Sequence, residues 1–263
     1  MNRIENRTIQ QPIVNQETPT YLETMSNHRN KPEWTLKEIS EWTKKDSQVS
    51  IPAIQRGLVW KPQQVELLWD SILRQFPIGS FTLSSSIEES ESSYNLLDGQ
   101  QRWNAISLGY GSVLNDISTA RSILWFDLKP EEVWKSKNTT RKFFVRATTK
   151  AHPWGYEAND ECGRFNTAQK REALSEFGLE DKNIYKDGIS LSETYPIKSG
   201  LPLPLFWLLE AGEKSNGDRT CFVKCIRDRI QDNRATHTFR LKKEEATDDL
   251  LAKYQPIFEA VTH

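Results

Sequence analysis

No stretch of this sequence approaches the roughly 20 apolar residues that a bilayer-spanning helix needs. The opening residues Met1-Asn2-Arg3-Ile4-Glu5 also lack the apolar centre of a secretory signal, so a cytoplasmic protein is the expectation. Cysteine is scarce. Cys162, Cys221 and Cys225 cannot all pair, and their spacing fits no zinc pattern, which argues against a disulfide framework and a structural zinc site and leaves buried helix-face thiols as the expectation. Net charge is also lacking, at −1, so any nucleic-acid contact must come from a local basic surface. Against these absences stand 37% hydrophobic residues with nine Trp and eleven Phe in 263 positions, enough for a real core. Residues 1–33 are polar and are expected to form a flexible N-terminal segment, with the ordered fold starting near Trp34.

Periodicity supplies the order of elements. Thr35-Leu36-Lys37-Glu38 has the form of a capping box ahead of Leu36, Ile39 and Trp42 at helical spacing. Gln48–Pro52 alternates like a strand. Pro62 suits a helix start, and Val65, Leu68, Trp69, Ile72 and Leu73 form an apolar stripe. Ser80–Leu83 reads as a strand, Ser84–Ser93 as a polar loop, and Tyr94–Leu97 as a strand leading through Asp98-Gly99 into a helix carrying Trp103, Ile106 and Tyr110. Further strands are expected at Ser122–Leu128 and Lys142–Arg146, and helices at Asn166–Phe177, Leu203–Leu209, Thr220–Ile230 and Asp248–Phe258. The reading is an α+β chain: a mixed-sheet domain over 34–158, then a mainly helical region over 159–263.

Three segments could carry chemistry. In Leu97-Asp98-Gly99-Gln100-Gln101-Arg102, Asp98 is placed as an N-cap, and first-turn amides at Gly99, Gln100 and Gln101 would face an anion favoured by the helix dipole. Gly99 allows close approach, Arg102 can fork onto phosphate oxygens, and Asp98 suits a magnesium ion or an attacking water. The same residues also make a capped turn with surface Gln and Arg. In Ile51-Pro52-Ala53-Ile54-Gln55-Arg56-Gly57-Leu58-Val59-Trp60, Gln55 and Arg56 sit among apolar residues, where Arg56 calls for an anion: a ligand, or a carboxylate such as Glu66 or Asp70. Phe76-Pro77-Ile78-Gly79-Ser80 could offer the amides of Gly79 and Ser80 to a ligand or serve as a simple turn.

The order Ile-Pro-x-x-Gln-Arg-x-x-Val-Trp, an amphipathic helix ending Asp70-Ser71-Ile72, Phe-Pro-Ile-Gly-Ser and Asp-Gly-Gln-Gln-Arg resembles the N-terminal domain of GmrSD-type modification-dependent restriction proteins, over residues 34 to about 155. The resemblance implies a ParB/sulfiredoxin-like fold, nucleoside triphosphate binding and hydrolysis at Asp98, Gln100, Gln101 and Arg102, an upstream anion-binding pair at Gln55 and Arg56, and defence against phage or other foreign DNA, which the modification-dependent type leads one to expect to be modified. Sulfiredoxin chemistry itself needs a cysteine at the phosphate turn, and none of the three lies there. Family members commonly add a His-centred nuclease domain. The four histidines, His28, His152, His237 and His263, form no such motif, which points to a His-Asn-His nuclease partner, a missing portion of chain, or cleavage by this domain itself.

Lys150-Ala151-His152-Pro153-Trp154-Gly155-Tyr156 offers His152 as a base or phosphate contact, or else an aromatic-Pro loop closing the core edge. Arg141, Lys142, Arg146 and Lys150 could form a basic strip tracking a DNA backbone, or a solvated strand edge. Arg227, Arg229, Arg234, Arg240, Lys242 and Lys243 are interrupted by acids and read as an ordinary charged face. The sequence thus favours a nucleoside-triphosphate-dependent component of a DNA restriction system. Its rivals are a nucleotide-sensing or DNA-clamping module without turnover and a stand-alone metal-dependent nuclease; assembly into an oligomer is compatible with all three.

Overall fold

The computed structural model describes residues 34–42, 49–51, 60–85, 94–111, 122–132, 135, 140–149, 152, 154–157, 165–166, 168–169, 196–197, 199–231 and 245–263. Outside them lie the segment 1–33, Gln55 and Arg56, most of the Ser/Glu tract, Lys150, Cys162, nearly all of the helix expected over 166–177, and Arg234, Arg240, Lys242 and Lys243.

Thr35 starts α1 (Leu36–Ser40) through the expected reciprocal cap: its hydroxyl accepts from Glu38 N at 3.2 Å, and its own amide donates to the Glu38 carboxylate at 2.7 Å. Pro62 occupies the first turn of α2 (Pro62–Leu73), whose stripe buries Val65, Trp69, Ile72 and Leu73. Between these helices runs the two-residue strand β1 (Val49–Ser50). β2 (Thr82–Ser85) begins two residues later than expected, so Ser84 and Ser85 belong to the sheet and not to a loop. β3 (Tyr94–Asp98) is central, parallel to β1 and antiparallel to β2, which makes this first sheet mixed. α3 (Gln100–Tyr110) follows β3 directly.

The second sheet is antiparallel, in the order β5 (Val145–Thr149), β4 (Ser122–Asp127), β6 (Pro202–Pro204). Three helices complete the α+β fold: α4 (Leu205–Ser215), α5 (Arg219–Gln231) and α6 (Asp248–Thr262), the last with Pro256 in its interior. The third strand of this sheet, β6, comes from the region read as mainly helical, beyond residue 158. Residues 34–263 form one compact unit.

The core is dominated by Trp69, Trp125, Phe126, Phe222 and Phe258, all essentially inaccessible to solvent. The indoles of Trp69 and Trp125 satisfy their N–H groups, Trp69 Nε1 on Ala105 O at 2.8 Å and Trp125 Nε1 on Thr148 Oγ1 at 2.9 Å. Asp127, also buried, accepts from the amides of Lys129, Gly200 and Leu201 at 3.1, 3.0 and 2.8 Å, tying the end of β4 to the approach to β6. Burial pushes its carboxyl above the usual range, while those amides and Arg146 pull the other way.

α3 meets α2 at Gly109, where a Cβ would lie 1.8 Å from Trp69 Cζ2. Alanine is the better helix former by about 1 kcal/mol. Overpacking against a fixed, hydrogen-bonded indole costs about 1–3 kcal/mol and should win. Gly109→Ala is therefore expected to lower the melting temperature; an unchanged or raised value would contradict this helix contact.

Candidate functional site

β3 ends in two exposed residues, Leu97 and Asp98, and the chain turns into α3 through Gly99, whose φ of +102° places it in the left-handed region. This corrects the expected cap. Gly99, not Asp98, is the N-cap; Asp98 remains in the strand and points its largely exposed carboxylate at Arg102 Nη2, 3.2 Å away. The first turn of α3 still presents the amides that a helix cannot satisfy internally.

Arg102 organises the turn. Its Nη2 also donates to Ser80 O at 2.5 Å, so the Phe76–Ser80 segment and the Asp98–Arg102 turn are held together by one guanidinium. Two glycines make room for it. A Cβ at Gly79 (φ +86°) would fall 2.5 Å from Arg102 Nη1, and one at Gly99 would fall 2.5 Å from Phe81 Cδ1 and 3.3 Å from Arg102 Nη2. The guanidinium carbon stands 5.6 Å above the Phe81 ring, and among the described residues Arg102 Nε is buried without a hydrogen-bond partner. Gln101 Oε1 accepts from Trp60 N at 3.2 Å, which joins α3 to the last residue of the Ile51–Trp60 segment.

Trp60, Ser80 and the Asp98–Arg102 turn therefore meet at the start of α3, with residues 52–59, Gln55 and Arg56 among them, outside the described residues. Sequence reasoning missed Phe81 and Trp60, whose parts are contacts made by a ring and by a backbone amide that no motif spells out. The carboxylates considered as partners for Arg56 have other engagements. Glu66 takes Arg141 Nη1 at 2.9 Å and Ala147 N at 3.1 Å, and Asp70 takes Lys142 N, Phe143 N and Arg74 at 3.1, 2.8 and 3.2 Å.

Arg146 and His152 are not brought to this turn. Arg146 is 2% exposed and donates to Ser199 Oγ at 3.2 Å and Tyr156 O at 2.9 Å, so it holds the 152–157 loop onto β5 and cannot meet a DNA backbone. His152 bridges to Thr149 through both backbone groups, and its ring packs edge-on to Tyr156 at 4.8 Å. With Trp154 buried and Gly155 at φ +84°, the described residues of this segment pack back on β5, the edge strand of the second sheet. Arg141 is buried on Glu66, so the expected basic strip keeps only Lys142 on the surface among its described members. Cys221 and Cys225 are partly buried, not fully so, on α5; burial first, then neighbouring Cys221, pushes the Cys225 thiol up.

A mixed sheet feeding a glycine turn, an arginine bracket and a helix start defines an α+β domain with one glycine-arginine turn at the end of its central strand. The chain belongs to the family described as the GmrSD restriction endonuclease, N-terminal domain, whose model matches residues 39–254. That match runs through β6, α4 and α5 into α6, so the later helices are part of the same family domain and the likeness does not fade at residue 155. The chain is accordingly a component of a restriction system, whose substrate is DNA. No curated protein and no solved structure matches it. Among the described residues no helix is long and apolar enough to cross a membrane.

Proposed function

We propose that this domain binds and hydrolyses a nucleoside triphosphate at the Gly79/Gly99/Arg102 turn, and that nucleotide occupancy controls cleavage of foreign, modified DNA. The observation that carries the reading is the buried Arg102 Nε left without a partner beside two glycines at positive φ. A polar group so placed costs free energy unless something answers it, and a phosphate oxygen is the ligand that a guanidinium edge and helix-start amides answer together.

In this reading Gly79 and Gly99 let phosphate approach the backbone, Arg102 takes negative charge, and Gln100, half-buried in the first turn, orients the attacking water. Asp98, exposed at the rim, accepts the proton of that water or holds a metal-bound one. Magnesium would supply neutralisation of the phosphate charge. The donor set fits an ion carried in on the substrate, since Asp98 is the turn's one carboxylate and, among the described residues, no group of three His, Cys, Asp or Glu stands together. Cutting is assigned to a His-Asn-His nuclease partner.

A second reading, nucleotide sensing without turnover, draws on the bond from Arg102 to Ser80 O, which would let a bound phosphate tighten two segments and do nothing more. A panel of nucleoside triphosphates with magnesium separates the two. Near saturation the right nucleotide should raise the melting temperature by roughly 5–10 °C. Release of inorganic phosphate, lost in Asp98→Ala, supports hydrolysis; a thermal shift without release supports sensing; no shift with any nucleotide removes both.

A further inference from the structure

A second charged feature shares no lining residue with the glycine turn. The end of β4, the segment entering β5 and helix α6 enclose an open cleft of about 740 Å³. Five cations line it: Lys129, Lys135, Arg141, Lys142 and Lys253. None of the described residues lining it is Asp or Glu, although the chain as a whole has 35 basic and 36 acidic residues. Such a one-sign wall is a departure from an ordinary mixed surface.

The cations differ in how far they are spoken for. Arg141 is neutralised by buried Glu66 at 2.9 Å and sets the back of the cleft. Lys129 and Lys135 have exposed partners, Glu245 at 3.7 Å and Glu132 at 2.6 Å, of the kind that exchanges readily for phosphate. Lys142 and Lys253 have no carboxylate among the described residues; their amines lie 5.3 Å and 5.9 Å from the Phe143 and Tyr254 rings. Tyr254 is pinned by its hydroxyl to Leu128 O at 2.9 Å, which with Leu250 gives the cleft a fixed, partly apolar floor.

We propose that this cleft seats DNA by its phosphodiester backbone, with Lys142 and Lys253 as the principal phosphate contacts and Lys129 and Lys135 recruited from their surface pairs. An open groove with exposed lysines on its walls suits a polymer running through it better than a small enclosed anion, and cations above an apolar floor are what a sugar-phosphate chain matches. The inference rests on the family's DNA substrate and not on nucleotide turnover.

The test is fluorescence anisotropy of the full chain with a labelled duplex of about two helical turns, titrated from about 50 to about 200 mM salt. Lys142→Glu with Lys253→Glu should weaken binding at least about ten-fold and flatten the log K against log salt slope by about 2. The neutral pair Lys142→Gln with Lys253→Gln should give a smaller loss in the same direction, without loss of fold by thermal melting. Arg219→Glu with Lys224→Glu, exposed on α5, changes net charge equally and should have much less effect. Three outcomes overturn the proposal: no duplex binding by the wild-type chain, equal losses in the cleft and α5 variants, or complete displacement by inorganic triphosphate at matched ionic strength, which would assign the cleft to a small polyphosphate. The cleft variants should keep the nucleotide-induced thermal shift while Asp98→Ala keeps duplex binding, so failure of one assignment leaves the other readable.

Discussion

Arg102→Ala is expected to reduce nucleoside triphosphate hydrolysis by about 10²-fold or more, and Arg102→Lys to recover little of it. The reason is the geometry around one planar group. Nη2 is already shared between Ser80 O and Asp98, Nη1 lies against Gly79, and Nε is the edge left over. A lysine ammonium restores charge but cannot bridge two segments and still present a donor edge to a third group. The substitution also loosens the unligated protein, since Ser80 O loses a charge-assisted donor, and that loss has to be separated from a catalytic one. Because Arg102 keeps some solvent access, the structural part should be modest, a lowering of a few degrees at most in the melting temperature of the unligated chain. The ligand-dependent part is the thermal rise with nucleotide, which should vanish altogether. If Arg102→Ala melts lower but keeps both the nucleotide-induced rise and phosphate release, Arg102 is a bracket for the Phe76–Ser80 turn and the hydrolytic reading is wrong.

How much of this could be read from the sequence depended on whether the interactions were local. Thr35 with Glu38, and Pro62 ahead of an apolar stripe, act within one turn of helix, and both appear where periodicity puts them. The cap at residue 99 was misplaced by one position because Asp is the commoner N-cap, whereas here glycine's access to positive φ decides the turn. β6 was invisible since Pro-Leu-Pro argues against a strand, yet the second sheet uses it at an edge, where the missing N–H does no harm. Both readings of the Arg141–Lys150 strip put Arg146 at the surface, where a charged side chain ordinarily belongs. β5 is buried along Val145–Thr148 on both faces, and an inward arginine there finds Ser199 and Tyr156 instead of water. The basic cleft sets Lys253 of α6 against Lys129 and Lys142, more than a hundred positions earlier in the chain, a juxtaposition that only the fold creates.

The largest stability effect should come from Glu66, whose role follows from the position of β5. As an edge strand, β5 would leave outward amides unpaired, and α2 covers the strand and the segment entering it with carboxylates: Glu66 on Ala147 N within β5, and Asp70 on Phe143 N and Lys142 N just ahead of it. Glu66 also neutralises Arg141, with both side chains 6% exposed. Glu66→Leu removes one partner of a buried pair and leaves a guanidinium and an amide unanswered, a loss of about 3–5 kcal/mol. Measured by urea unfolding, the midpoint should fall with little change in slope. Pairing it with Arg141→Met should recover a substantial part of that loss, because a buried pair replaced on both sides by apolar groups gives up its mutual attraction and its desolvation penalty together. Recovery should stay incomplete, since Ala147 N still lacks its acceptor. Glu66→Gln keeps that acceptor while losing the charge, and should fall between the wild type and Glu66→Leu. A Glu66→Leu protein within about 1 kcal/mol of wild type would show that water reaches this contact, and that α2 is not what seals the edge of the second sheet.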